Sequence, residues 1–168
     1  MNYPQSNVHP EARIGKNVKI DSFVTIQKDV EIGDGSEIGP NAVIMNGSRI
    51  GKNCKIFPGA VIAGEPQDLK FEGEYSTVEI GDNVSIHEFA TINRGTNAKG
   101  KTVIGSNCLL MSYTHVAHDC VMSNNCILGS YAGLAGEVEV ESFAIISPGT
   151  LVHQFVKIGS HVIGIFRK

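Results

Sequence analysis

The chain is poor in charge, in basic surplus and in long apolar runs, and each shortage removes a class of protein. Charged residues make up 18 % of the sequence and the formal net charge is −3. Nothing there supplies the cationic surface that grips a nucleic-acid backbone. No apolar run approaches the ~18 residues that a transmembrane helix needs. The opening Met-Asn-Tyr-Pro-Gln-Ser lacks the basic region and apolar core of a secretory leader. A soluble cytoplasmic protein is the expectation. Its 168 residues, 19 of them glycine, predict one domain over 1–168 with few long helices.

What the sequence has instead is a period of six. Stepping from Val8 lands on Ile14, Ile20, Ile26, Ile32, Ile38, Ile44, Ile50, Ile56 and Ile62. The ladder resumes at Ile80, Ile86 and Ile92, then runs from Ile104 through Leu110, Val116, Met122, Leu128, Leu134, Val140, Ile146 and Val152 to Ile158. Every one of these side chains is aliphatic or Met. A helix would show spacings of three and four, and a half-buried strand would alternate every two. A parallel β-helix fits: each hexad makes one flat side, three sides close an 18-residue coil, and coils stack ~4.8 Å apart. Stacking builds one core from repeats that could not bury their apolar faces alone. The fold class is therefore all-β, a parallel β-helix.

Two finer features follow the same register. Glycine often succeeds the ladder residue, as at Gly15, Gly33, Gly51, Gly81 and Gly105, where positive φ at tight corners is the expected reason. Four places after the ladder stands a small residue, and Cys54, Cys108, Cys120 and Cys126 all take that slot. Cysteines that obey a packing register read as buried structural thiols, compatible with a reducing compartment. Segments 63–77 and 95–102 break the ladder with Pro66, charges and glycines, and are expected to leave the wall as loops.

In the unbroken run after Ile104, residues 18 apart stack. His118 then lies over Gly136 and Gln154, Asp119 over Glu137, and Ala117 over Ala135 and His153, with His115 at the adjoining corner. His9, His87 and His161 have no such partners and are expected at the surface. Imidazole is the side chain suited to accept a proton near neutral pH, and the neighbouring Asp119 can fix its tautomer. Cys120 is expected to point inward and Ser112 lies outside the cluster, so no nucleophile is at hand. Gly136 can offer a backbone N–H to an oxyanion. This set suits direct acyl transfer from a thioester to a hydroxyl or amine, with no cofactor and no metal.

The ladder together with Glu65-Pro66-Gln67-Asp68-Leu69-Lys70, Arg94-Gly95-Thr96, His115-Val116-Ala117-His118-Asp119-Cys120, Leu134-Ala135-Gly136 and Val152-His153-Gln154-Phe155 resembles the bacterial acyl-(acyl-carrier-protein)–UDP-N-acetylglucosamine O-acyltransferases. The resemblance implies a left-handed β-helix, an exception to the right-handed crossover rule, and a homotrimer with clefts between subunits. It implies transfer of a 3-hydroxyacyl group from acyl carrier protein to the glucosamine 3-hydroxyl of UDP-N-acetylglucosamine, the first step of lipid A biosynthesis. His118 would be the general base, Asp119 its orienting partner and Gly136 the oxyanion donor. Asp68, Lys70 and His115 would meet the sugar nucleotide, and His153 and Gln154 would line the cleft. A related N-acyltransferase and an inactive β-helical scaffold are the alternatives.

The chain departs from the family at three places. Asn93 and Glu137 stand where histidine is frequent. The ladder position after Ile158 is Gly164, followed only by Ile-Phe-Arg-Lys, whereas the family continues into further coils and a helical C-terminal domain. That domain is expected to be absent, and the chain by itself to be inactive or nearly so.

Overall fold

The structure, a computed structural model, describes residues 5–164. The expectations resting on 1–4 and 165–168, at the leader and at the final apolar residues, lie outside the described residues. Strands of two to four residues end at the ladder positions, except that Val61–Gly64 and Thr91–Asn93 run past Ile62 and Ile92, and they assemble into three parallel sheets of eight strands each. Face one carries Val8, Ile26, Ile44, Ile62, Ile92, Val116, Leu134 and Val152, each registered on the next. Face two runs from Ile14 to Ile158 and face three from Ile20 to Gly164. The molecule is a left-handed parallel β-helix, and among the described residues no helix is long and apolar enough to cross a membrane.

The core is the ladder itself. Ile26, Ile44, Ile62, Ile92, Val116 and Leu134 are buried along face one, and the small slots of Ala42, Ala60, Ala132 and the four cysteines are buried beside them. All four cysteines are free. Burial pushes the Cys108 and Cys120 thiols up to about 11, which leaves them protonated and inert at neutral pH. The packing role expected for them holds.

The reason expected for the ladder glycines does not hold. Left-handed φ falls two places later, at Asn17, Gly35, Asn53, Asn83 and Asn107 on the corner between faces two and three (Asn125 takes it on the same corner), and not at Gly15, Gly33, Gly51, Gly81 or Gly105. Those glycines answer to close approach: a Cβ on Gly33 would lie 2.6 Å from the Gly51 carbonyl of the next coil. The three histidines expected at the surface differ in how far they reach it. His161 is exposed and stacks on Phe143, but His87 is half-buried against Phe57 at 4.1 Å between ring centroids, and His9 is half-buried.

Both loops are shorter than the broken ladder suggests. Strands Val61–Gly64 and Thr77–Ile80 reduce the first loop to 65–76, and Thr91–Asn93 and Lys101–Ile104 reduce the second to 94–100. Neither replaces a side of the coil. Both leave at the corner between faces one and two, and they lie one above the other, directly beneath the corner that carries His118.

Candidate functional site

His115 and Val116 form the strand that brings the site to face one, between Thr91–Asn93 below and Gly133–Leu134 above. The His115 side chain points outward from this strand, and its Nδ1 lies 2.8 Å from the Thr91 hydroxyl. Burial lowers its pKa from the usual 6.5, so the ring is neutral at neutral pH.

Two residues further the chain turns, and His118 and Asp119 occupy the corner. His118 is 7 % exposed and Asp119 fully buried. The imidazole Nδ1 sits 2.8 Å from Asp119 Oδ2. Gly136 lies above the ring, where an added Cβ would come within 2.6 Å of its Cε1 and Nε2. Only glycine admits the imidazole there. The Gly136 N–H has no hydrogen-bond acceptor among the described residues. On the other side of the ring, Asp68 of the first loop places Oδ2 3.6 Å from Nε2.

Asp119 is held by residues that the sequence pattern does not reveal. The Thr96 N–H bridges both carboxylate oxygens at 3.0 and 3.1 Å, the Thr96 hydroxyl donates to Oδ2 at 2.6 Å, and the Lys99 N–H donates to Oδ1 at 3.1 Å. The Thr102 hydroxyl accepts from the Asp119 N–H at 2.9 Å. A fully buried carboxylate needs such donors, because leaving it unpaired costs several kcal/mol or more. The signal that could have found them is the register Ile92 to Val116, which sets the second loop under this corner.

The loops are fastened to each other and to the wall. Arg94 lies over the Phe71 ring, 5.1 Å from its centroid, and reaches Glu65 at 3.5 Å. Glu74 accepts from the Asn97 N–H. Tyr75 contacts both Arg49 and Asp29, which are themselves joined at 2.6 Å. Asn93, at the root of the second loop, donates its amide to the Glu65 carbonyl at 2.8 Å, and its buried Oδ1 has no partner among the described residues.

Over this corner opens a cleft of about 410 Å³, lined by Gln67, Asn93, His115, His118, Gly136 and Gln154 among others. Four of the expected site residues therefore converge on one space: His115, His118, Gly136 and Gln154. Asp119 stands behind His118, and Asp68 flanks it. Lys70 and His153 are not brought in. Lys70 is exposed, tied to the site only through its N–H to Asp68 Oδ1. His153 is exposed, its ring 3.4 Å from the Gln154 carbonyl. Glu137, stacked on Asp119, is half-buried and outside the cleft wall.

The sequence signature described as Bacterial transferase hexapeptide (six repeats) matches residues 11–46 and 101–136. An acyl-[acyl-carrier-protein]–UDP-N-acetylglucosamine O-acyltransferase of Sinorhizobium fredii is 45 % identical over 158 residues, which is 94 % of this chain and 58 % of that protein. The corresponding enzyme of Verminephrobacter eiseniae is 42 % identical, over 96 % of this chain and 64 % of its own length. Among solved structures, the UDP-N-acetylglucosamine acyltransferase of Bacteroides fragilis superposes with a TM-score of 0.95 at 54 % identity, covering 97 % of this chain and 64 % of that one. The chain thus spans about three-fifths of the length of the relatives it matches. Over nearly all of its own residues the chain is similar to the acyl-(acyl-carrier-protein)–UDP-N-acetylglucosamine O-acyltransferases, and part of its ladder carries the hexapeptide transferase signature.

Proposed function

We propose that the chain is the β-helical part of an acyltransferase that moves a 3-hydroxyacyl group from acyl carrier protein to the glucosamine 3-hydroxyl of UDP-N-acetylglucosamine, the first step of lipid A biosynthesis, in the cytoplasm. The observation that carries this reading is the His118 imidazole, bonded through Nδ1 to a buried carboxylate and turned so that Nε2 borders the cleft. A ring that donates from Nδ1 keeps the Nε2 lone pair free to take a proton.

In the reaction, the sugar hydroxyl oxygen bonds to the thioester carbonyl carbon while its proton passes to His118 Nε2. The carbonyl oxygen becomes an oxyanion, for which the free Gly136 N–H is the available donor. Collapse of the tetrahedral centre breaks the carbon–sulfur bond, and the departing thiolate regains the proton from the imidazolium. Asp119 supports that imidazolium. With Cys120 buried and protonated, direct transfer needs no acyl-enzyme and no cofactor. Asp68 and His115 are assigned to the sugar, and Gln154 to the cleft wall. The unpartnered Asn93 Oδ1 asks for a donor from the ligand.

A homotrimer is part of the proposal. Phe89, Tyr113 and Tyr131 stack in an exposed row on the corner between faces three and one, the kind of surface that association covers. Lys70 and His153, outside the cleft of one chain, would then act where a neighbouring subunit closes it. The test is acyl transfer with UDP-N-acetylglucosamine and 3-hydroxyacyl carrier proteins of several chain lengths. The expected product is the 3-O-acyl sugar nucleotide with release of the carrier thiol. Failure to acylate at any chain length, in a trimeric and folded preparation of this chain extended with the C-terminal region of a relative, overturns the reading.

A further inference from the structure

We infer that the second loop is a clamp that sets the tautomer of His118, with Thr96 as its positioning residue. The inference rests on the general-base reading of His118, but its central readout does not depend on turnover. A coil without an insertion repeats after 18 residues, as from Lys19 to Glu37. From Thr91 to His115 the repeat is 24. The extra residues spread over the corner beneath His118 and bury the Asp119 side chain. Elsewhere on this corner the equivalent side chains reach solvent: Glu137 is half-buried, and Phe155 is exposed. Among the described residues of this corner Asp119 is the enclosed side chain, and the donors that enclose it come from Thr96 and Lys99.

The direction of each proton is fixed. The Thr96 hydroxyl oxygen accepts from the Ala98 N–H at 3.2 Å, so its single hydrogen is left for Asp119 Oδ2 at 2.6 Å. A carboxylate oxygen offers only acceptor sites, so the imidazole nitrogen 2.8 Å away must be the donor. That assigns the Nδ1–H tautomer and leaves Nε2 as the base.

The clamp has a competitor. Asp68 Oδ2 lies 3.6 Å from Nε2 and would favour a proton there, which is the wrong tautomer for a base. Asp119 prevails because it is nearer, dry and held rigid, whereas Asp68 stands on a partly exposed loop. Loosening Asp119 should hand the proton to the Asp68 side. The second loop therefore does for the imidazole what a third residue does in a catalytic triad, one step further out.

The experiment is nitrogen-15 NMR of the His118 ring in the full chain, with signals assigned by loss in His118→Ala. The wild type is expected to carry its proton on Nδ1. Thr96→Val, which keeps both backbone donors and removes the hydroxyl, should move the ring toward Nε2–H, and Thr96→Ser should restore Nδ1–H. Adding Asp68→Ala to Thr96→Val should return much of the Nδ1–H form. Thr96→Ala, smaller than the native side chain, serves if the valine variant does not fold. Where transfer is measurable, Thr96→Val should lower kcat roughly 10- to 100-fold, the range for a hydrogen bond to a charged group, with KM little changed. A pure Nδ1–H ring in folded Thr96→Val or Thr96→Ala overturns the clamp. If the tautomer moves as expected but the chain extended with the C-terminal region of a relative transfers no acyl group, the clamp stands and the catalytic reading falls.

Discussion

Two corners of this β-helix share a backbone and differ in everything else. Between faces two and three, Asn53, Asn83, Asn107 and Asn125 hold φ near +52 to +61°. Asparagine is there because its short polar side chain tolerates the left-handed region. Between faces one and two, Asp119 has φ +61°, the same geometry, yet its side chain is buried and bonded to an imidazole. The difference lies in what covers the corner. No insertion crosses the asparagine corner, while two loops converge on the other. A turn that is merely structural in most coils becomes a candidate site in the coil where a loop removes water from one carboxylate.

The comparison assumes one shared core, and the largest effect comes from breaking it. Ile146→Asp puts an unpaired charge into a position that is 2 % exposed. It should cost more than about 4 kcal/mol, and circular dichroism should show loss of the β signal. A folded Ile146→Asp protein with a native melting profile would contradict the single continuous core.

Next come the two corners themselves, on the premise that the chain is assayed where transfer is measurable. His118→Ala should reduce kcat by roughly 10²–10⁴, the range for a general base. Wild-type turnover in a folded His118→Ala trimer would remove the assignment. Asp119→Asn keeps the backbone compatible with left-handed φ but turns an amide N–H toward groups that already donate. A loss of about 10²-fold or more is expected, with substrate affinity retained. At the asparagine corner, Asn125→Ala should leave any transfer unchanged and cost about 1 kcal/mol of stability, the order of a left-handed alanine. Its denaturation midpoint, compared with that of Asn125→Gly, separates φ from side-chain contacts: the glycine variant should lose less.

The smallest effect is in pH. Burial lowers the His115 pKa below 6.5, so the unfolded chain takes up the proton before the folded one does. Stability from this residue is therefore complete above about pH 6.5 and declines as pH falls through the lowered folded value. His115→Gln should flatten that part of the stability profile relative to wild type. Parallel profiles for the two proteins between pH 7 and 5 would show that His115 is not protected from protonation.

Much of this was legible in the order of residues, and the illegible part has a physical boundary. The six-residue ladder determined the three faces, the inward cysteines and the stack of His118 on Gly136, because each follows from burying one aliphatic per side and from coils that repeat at a fixed rise. The same pattern located both loops to within a few residues. It misassigned the ladder glycines to φ, since periodicity cannot distinguish a residue that needs freedom from one that needs space for the next coil. Lys70 looked as close to the site as Asp68, two positions away, yet only Asp68 reaches the imidazole. Thr96 stood out only within the Arg94-Gly95-Thr96 resemblance, with no role attached, and Lys99 carried no mark. Their contacts to Asp119 span 23 and 20 residues and are made by a loop, where no repeat fixes the direction of a side chain. Such contacts exist only once the coils have stacked and a buried carboxylate must find its donors from whatever chain lies beside it.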